Sequence, residues 1–122
     1  MTALVVDSSD LMRFILRRIL SMRGFDVQEA ADALQARSIL AHLDAADVVL
    51  LDWNPADTEA VQLVADLRRQ ASFQPLVIIM LAAEPGRREV QEAFEAGAND
   101  YLVKPFNSMQ ISKKLASAGL AA

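Results

Sequence analysis

Apolar runs and segments of helical period alternate five times along the chain. Residues 3–6 (Ala-Leu-Val-Val) read as a strand, and Leu11, Met12, Ile15, Leu16 and Ile19 then repeat at helical spacing, with Arg13, Arg17 and Arg18 off the stripe. Ser8, Ser9 and Asp10 offer capping oxygens at that helix's start, and Gly24 ends it. Phe25-Asp26-Val27-Gln28 alternates apolar and polar, as a half-exposed edge strand does. Ala36, Ile39, Leu40 and Leu43 predict the second helix, residues 48–51 the third strand, and Ala60, Leu63, Val64 and Leu67 the third helix. Residues 76–81 read as the fourth strand, broken by Pro85-Gly86. Val90, Ala93, Phe94 and Gly97 follow at helical spacing, then a strand at 101–103, then Ile111 and Leu115 of a short last helix.

This is a (βα)5 pattern. Strands one, three and four are apolar throughout, as strands covered on both faces must be. Right-handed crossovers with strand two at an edge predict an α/β, doubly wound, flavodoxin-like fold with a parallel sheet in the order 2-1-3-4-5. A length of 122 residues without linker, repeat or low-complexity segment predicts a single domain over residues 1–122.

Composition narrows the function. The 53% apolar content excludes intrinsic disorder, and the net charge of −4 argues against nucleic acid as the main partner. The absence of cysteine rules out disulfides and thiolate metal sites. Neither a leader pattern nor an apolar stretch approaching the roughly 20 residues of a membrane span is visible, so a cytoplasmic setting without membrane contact is expected.

The chemistry lies at the strand ends. Strand one ends on Asp7, strand three on Asp52, and strand five on Lys104 followed by Pro105. In a parallel sheet these three ends share one edge, where ligands bind in open α/β folds. Two carboxylates held against an ammonium suit a small hard cation and a phosphoryl group. The edge lacks a nucleophile–base pair and the chain lacks a Gly-rich nucleotide loop, so an enzyme acting on small molecules is not expected.

The ordered set Leu4-Val5-Val6-Asp7, Met12-Arg13, Asp52-Trp53-Asn54, Ala96-Gly97-Ala98 and Tyr101-Leu102-Val103-Lys104-Pro105-Phe106 resembles a bacterial two-component response-regulator receiver domain of the chemotaxis, single-domain type. The resemblance covers essentially the whole chain and implies roles. Asp52 matches the phosphoryl acceptor, Asp7 the acid that holds Mg²⁺ through a water, and Asn54 the residue whose backbone carbonyl ligates the metal. Lys104 matches the lysine that pairs with the acceptor or its phosphoryl oxygens, Tyr101 the aromatic that moves on activation, and Lys104-Pro105 a cis peptide bond. The implied partners are a histidine kinase or phosphotransfer protein and a downstream protein bound through the helix 4–strand 5–helix 5 face.

Several positions depart from the family pattern. The second acid after strand one is Ser8, a neutral and weaker metal ligand, so weakened Mg²⁺ binding is expected. After strand four the family's Thr or Ser is Ala82, which has no hydroxyl to follow a phosphoryl group. The family's Pro-x-x-Asp-Gly reads Ala56-Asp57-Thr58-Glu59-Ala60, with Pro55 one place early, and a glycine expected at the second helix is Ala33. Two readings result. In the first, the chain accepts a phosphoryl group on Asp52 and signals through protein contacts. In the other, Ser8 and Ala82 make it a pseudo-receiver that binds partners independently of phosphorylation.

Other residues have plainer readings. Trp53 reads as a partly exposed loop aromatic, His42 as a surface residue at the end of helix two, and Phe14 as a single exposed aromatic beside Arg17 and Arg18 that could anchor a partner. Lys113 and Lys114 give the last helix a basic face.

Overall fold

The computed structural model describes residues 1–54 and 58–120. Five strands alternate with five helices: β1 Thr2–Val6, α1 Asp10–Ser21, β2 Asp26–Ala30, α2 Ala33–Ala41, β3 Val48–Asp52, α3 Glu59–Arg68, β4 Val77–Ala82, α4 Arg87–Ala96, β5 Asp100–Val103 and α5 Ser108–Ser117. A 3₁₀ turn at Ala71–Phe73 leads from α3 toward β4. All neighbouring strands pair in parallel, in the order β2-β1-β3-β4-β5. Among the described residues, no helix is long and apolar enough to cross a membrane.

Side chains alternate between sheet faces with a period of two, and the two core layers follow that rule. Leu4, Val6, Val49, Leu51, Ile78 and Met80 pack with α2 and α3 on one face. Ala3, Val5, Val48, Leu50, Ile79, Leu81 and Leu102 pack with Leu16 and Leu20 of α1 and with Ile111 and Leu115 of α5 on the other. Continuing the same parity past each strand end puts Asp7, Asp52 and Lys104 together on the α1/α5 side. Register does the rest: Val6 is paired with Leu51, so Asp7 and Asp52 stand side by side one residue further on.

Local chemistry sets the helix starts. Ser9 caps α1 by accepting from the Met12 N–H at 3.1 Å, and Asp32 caps α2 by accepting from Gln35 at 2.8 Å. Asn107 and Gln110 form a reciprocal capping box on α5. At the end of α4, Gly97 has φ +123°, and its carbonyl accepts from Arg68 Nε at 2.8 Å. A side chain there would be strained by the backbone and would run into the aliphatic part of Arg68. The same guanidinium also donates to the Phe73 carbonyl and to Asn99 Oδ1, tying the C-terminal ends of α3 and α4 together.

Helix α1 presents a different face from the one its sequence suggests. Leu16 and Leu20 are buried, with Met12 and Ile19 packed beside them, while Leu11 and Ile15 face solvent. Both stripes have helical period. The sheet selects the one completed by Leu20, which the sequence reading left out.

Candidate functional site at the C-terminal edge of the sheet

Asp7, Asp52 and Lys104 meet at the C-terminal edge of the strands. Lys104 Nζ lies 2.7 Å from Asp52 Oδ1 and 2.9 Å from Asp7 Oδ2, so one ammonium bridges both carboxylates. Asp7 is only 2% exposed, and it is the one buried charged residue among those described. Burial of such a carboxylate is tolerable only with full pairing. Its Oδ1 accepts from the Ser9 N–H at 2.9 Å, its backbone carbonyl accepts from Arg13 Nη1 at 2.6 Å, and its own N–H donates to the Ala30 carbonyl at 3.1 Å. Burial pulls the Lys104 ammonium toward its neutral form. Hydrogen bonds to Asp52 and Asp7, with their negative charge, outweigh that and raise its pKa above the ordinary lysine value.

Asp52 and Asn54 stand between two cavities. A cavity of about 280 Å³ is lined by Asp7, Ser8, Asp52, Asn54 and Glu59. A larger one, about 630 Å³, is lined by Asp52, Trp53, Asn54, Ala83, Glu84, Glu89 and Lys104. The smaller offers only oxygen donors, which suits a hard divalent cation such as Mg²⁺. Its donor set is thin, however: both Asp7 oxygens are engaged, and Ser8 contributes an exposed neutral hydroxyl. Among the described residues, no group of three or more His, Cys, Asp or Glu side chains is arranged to hold a metal.

The remaining sequence-predicted residues fall around this centre. The Lys104–Pro105 peptide is cis. Ala82 is the last residue of β4, buried in the layer under α3 and α4, and its carbonyl accepts from the Lys104 N–H at 2.8 Å. Tyr101 is half-buried on β5, edge-on to Phe94 with ring centroids 6.2 Å apart. Ala33 opens α2 and lines the smaller cavity. Pro55, Ala56 and Asp57 lie outside the described residues.

Two expectations, for Trp53 and Lys114, need correction, and the one for His42 holds. Trp53 is buried at 2% exposure in the α2/α3 layer, because the parity that turns Asp52 toward α1 turns Trp53 inward on the other face. Lys114 adds no free basic charge to α5: it pairs with Asp100 at 2.9 Å and lies 5.7 Å from the Tyr101 ring centroid. Lys113 alone stays exposed. His42 is at the surface as the C-cap of α2, its Nδ1 2.8 Å from the Ser38 carbonyl oxygen.

Sequence reasoning gave no role to Arg13, Glu84 or Glu89. Arg13 holds the backbone of Asp7, and its clue was its place one helical turn after a capping serine. The two glutamates follow β4 and add negative charge to the wall of the larger cavity.

The family model described as "Response regulator receiver domain" matches residues 3–116. The chain is 36% identical over 116 residues to the chemotaxis protein CheY homolog of Campylobacter jejuni, covering 94% of this chain and 89% of that protein. It is 38% identical over 116 residues to chemotaxis protein CheY1 of Helicobacter pylori, covering 94% of each. Among solved structures, chemotaxis protein CheY4 of Vibrio cholerae superposes with a TM-score of 0.87 at 30% identity, covering 96% of this chain and 97% of that one. The shared fold, the matched family model and relatives aligned over nearly their full length lead to one conclusion: the chain belongs to the response regulator receiver domain family, the receivers of two-component signal transduction.

Proposed function

We propose that Asp52 accepts a phosphoryl group from the phosphohistidine of a histidine kinase or phosphotransfer protein. The observation that carries this reading is the Asp7–Lys104–Asp52 bridge. It supports a phosphoryl-accepting receiver over a phosphorylation-independent pseudo-receiver, since the acceptor Asp52, the acid Asp7 and the lysine Lys104 are retained and joined through the Lys104 ammonium, with position 8, here Ser8, the one acid of the family's centre that is replaced. A carboxylate oxygen of Asp52 attacks phosphorus, a P–O bond forms, and the P–N bond to the imidazole breaks, the nitrogen keeping the electron pair. Phosphoryl transfer depends on positioning and charge neutralisation more than on covalent chemistry by the protein. Lys104 orients Asp52 and offsets charge on the incoming oxygens in the larger cavity. Asp7, Asp52, the Asn54 backbone carbonyl and, weakly, the Ser8 hydroxyl would hold Mg²⁺ on the side of the smaller cavity. When bound, the cation supplies further neutralisation of phosphoryl charge. This reading takes residues 1–122 as one receiver domain acting in the cytoplasm, with neither nucleic acid nor membrane as its target.

Trp53 gives the test. It is the sole tryptophan and lines the larger cavity. Mg²⁺ with a small phosphodonor should change its emission in the wild type and not in Asp52→Asn. A change of equal size in both would disconnect the signal from Asp52.

A downstream protein would bind the α4–β5–α5 face, where Phe94, Val103 and Met109 are exposed. Signal transmission to that face should be weak. A ligand shifts a conformational equilibrium only by its differential interaction with the two states, and Ala82 has no hydroxyl to distinguish them. Amide shifts on beryllofluoride binding should therefore cluster near Asp7, Asp52 and Lys104 and fade before Tyr101 and Lys113. Ala82→Thr should extend them toward α4. Large wild-type shifts across α4 and α5 would show that coupling takes another route.

A further inference from the structure

Among the described residues, the wall of the smaller cavity carries the acids Asp7, Asp32, Asp52 and Glu59 and no cationic side chain. A cleft lined by one sign of charge concentrates the opposite ion. Asp7 and Asp52 belong to the reaction centre. Asp32 is accounted for by the start of α2, where its side chain accepts from the Gln35 N–H at 2.8 Å. Glu59 is the remaining acid. It is exposed in the first turn of α3, where a carboxylate suits the helix dipole, but that role requires no place on the cavity wall.

The reaction centre itself is short of anionic donors. Ser8 brings a hydroxyl and no charge. Asp7 has one oxygen on the Ser9 N–H and the other on Lys104, and Asp52 Oδ1 is also on Lys104. Glu59 places a further carboxylate on the same wall. Among the described residues, no three acidic or imidazole side chains are arranged to hold an ion directly, so its contribution is made through water. Mg²⁺ suits this, because it gives up its waters reluctantly and keeps several when bound. Removing a group that hydrogen-bonds a metal's own ligands typically costs about 10–100-fold in affinity.

We propose that Glu59 does the work of the acid missing at position 8, its carboxylate accepting hydrogen bonds from the waters of a Mg²⁺ ion held by Asp7 and Asp52. The proposal rests on the reading of Asp7 and Asp52 as the metal carboxylates, and its test separates the two. Mg²⁺ is titrated calorimetrically into wild type, Glu59→Gln, Glu59→Asp, Glu95→Gln, Asp52→Asn and the double variant Ser8→Asp/Glu59→Gln. Thermal unfolding without Mg²⁺ is recorded for each. Glu59→Gln should weaken binding by about ten-fold, and Glu59→Asp, which keeps the charge on a shorter arm, by less. Glu95→Gln removes an exposed acid of α4 that lies off the cavity wall and should bind as wild type does. The double variant should recover at least the wild-type affinity, because an acid at position 8 makes Glu59 dispensable. Wild-type affinity in Glu59→Gln would overturn the proposal. Lower thermal stability with that affinity unchanged would leave Glu59 only its place at the helix dipole. An equal loss in Glu95→Gln would reduce the effect to net charge, and a double variant no tighter than Glu59→Gln would refute the exchange of one acid for the other. Asp52→Asn that binds Mg²⁺ as the wild type does, or a wild type that binds none, would overturn the metal reading itself, and this proposal with it.

Discussion

Replacing Lys104 with methionine should destabilise the fold by about 2–3 kcal/mol at neutral pH, below the roughly 3–5 kcal/mol lost when a fully buried pair is broken, because this site opens to solvent on one side. The single ammonium now neutralises two carboxylates, one of them buried, and the variant leaves Asp7 and Asp52 facing each other without it. Two further outcomes identify the cause. Adding Asp7→Asn to Lys104→Met should recover much of the loss, because the uncompensated buried charge is removed. Mg²⁺ should stabilise Lys104→Met more than it stabilises the wild type, since the cation then enters a site of net charge −2 with no ammonium competing. The pH dependence has a definite sign. Lys104 has its pKa raised in the folded state, so its contribution is fully present below the unfolded lysine value of about 10.4 and is lost as pH rises through the higher folded value. Urea unfolding of wild type and variant from neutral to alkaline pH should show a constant gap that closes only above that point. Equal stability at neutral pH would mean that the bridge contributes nothing to the fold.

Ser8→Asp should tighten Mg²⁺ binding by about ten-fold or more, equivalent to about 1.4 kcal/mol, because an anionic oxygen replaces a neutral hydroxyl on the wall of the smaller cavity. Titration calorimetry reads this directly. The same change places a third carboxylate near one ammonium, so the metal-free variant should be less stable than wild type. Saturating Mg²⁺ should then reverse the order, since a ligand that binds only the folded state stabilises it by RT ln(1 + [L]/Kd), which is larger for the tighter-binding variant. A folded Ser8→Asp protein that binds Mg²⁺ no more tightly than wild type would show that position 8 does not limit the site.

Much of this site was legible before any coordinates, for a geometric reason. Apolar runs ending on Asp7, Asp52 and Lys104 can share an edge only if the strands are parallel, and the alternation with helices implies that they are. What the sequence could not resolve was which face of an element is chosen. In α1, the stripe with Leu11 and Ile15 and the stripe with Leu16 and Leu20 have the same period, and only the sheet decides between them. Trp53 looked like a loop aromatic because it follows the strand. Strand parity carries it into the core instead. Arg13 looked like a solvated charge on the back of a helix, yet its side chain is only 16% exposed and it fixes the Asp7 carbonyl. Lys114 likewise turns toward Asp100 and Tyr101, a contact between α5 and β5 that spacing along α5 alone does not reveal.

The central claim is that Asp52 is the phosphoryl acceptor. Its most direct test is intact-protein mass after incubation with a small phosphodonor and Mg²⁺, for wild type and for Asp52→Asn. The bridge to Lys104 and Asp7 leads to one added phosphoryl mass on the wild type and none on the variant. Equal labelling of Asp52→Asn would contradict the assignment.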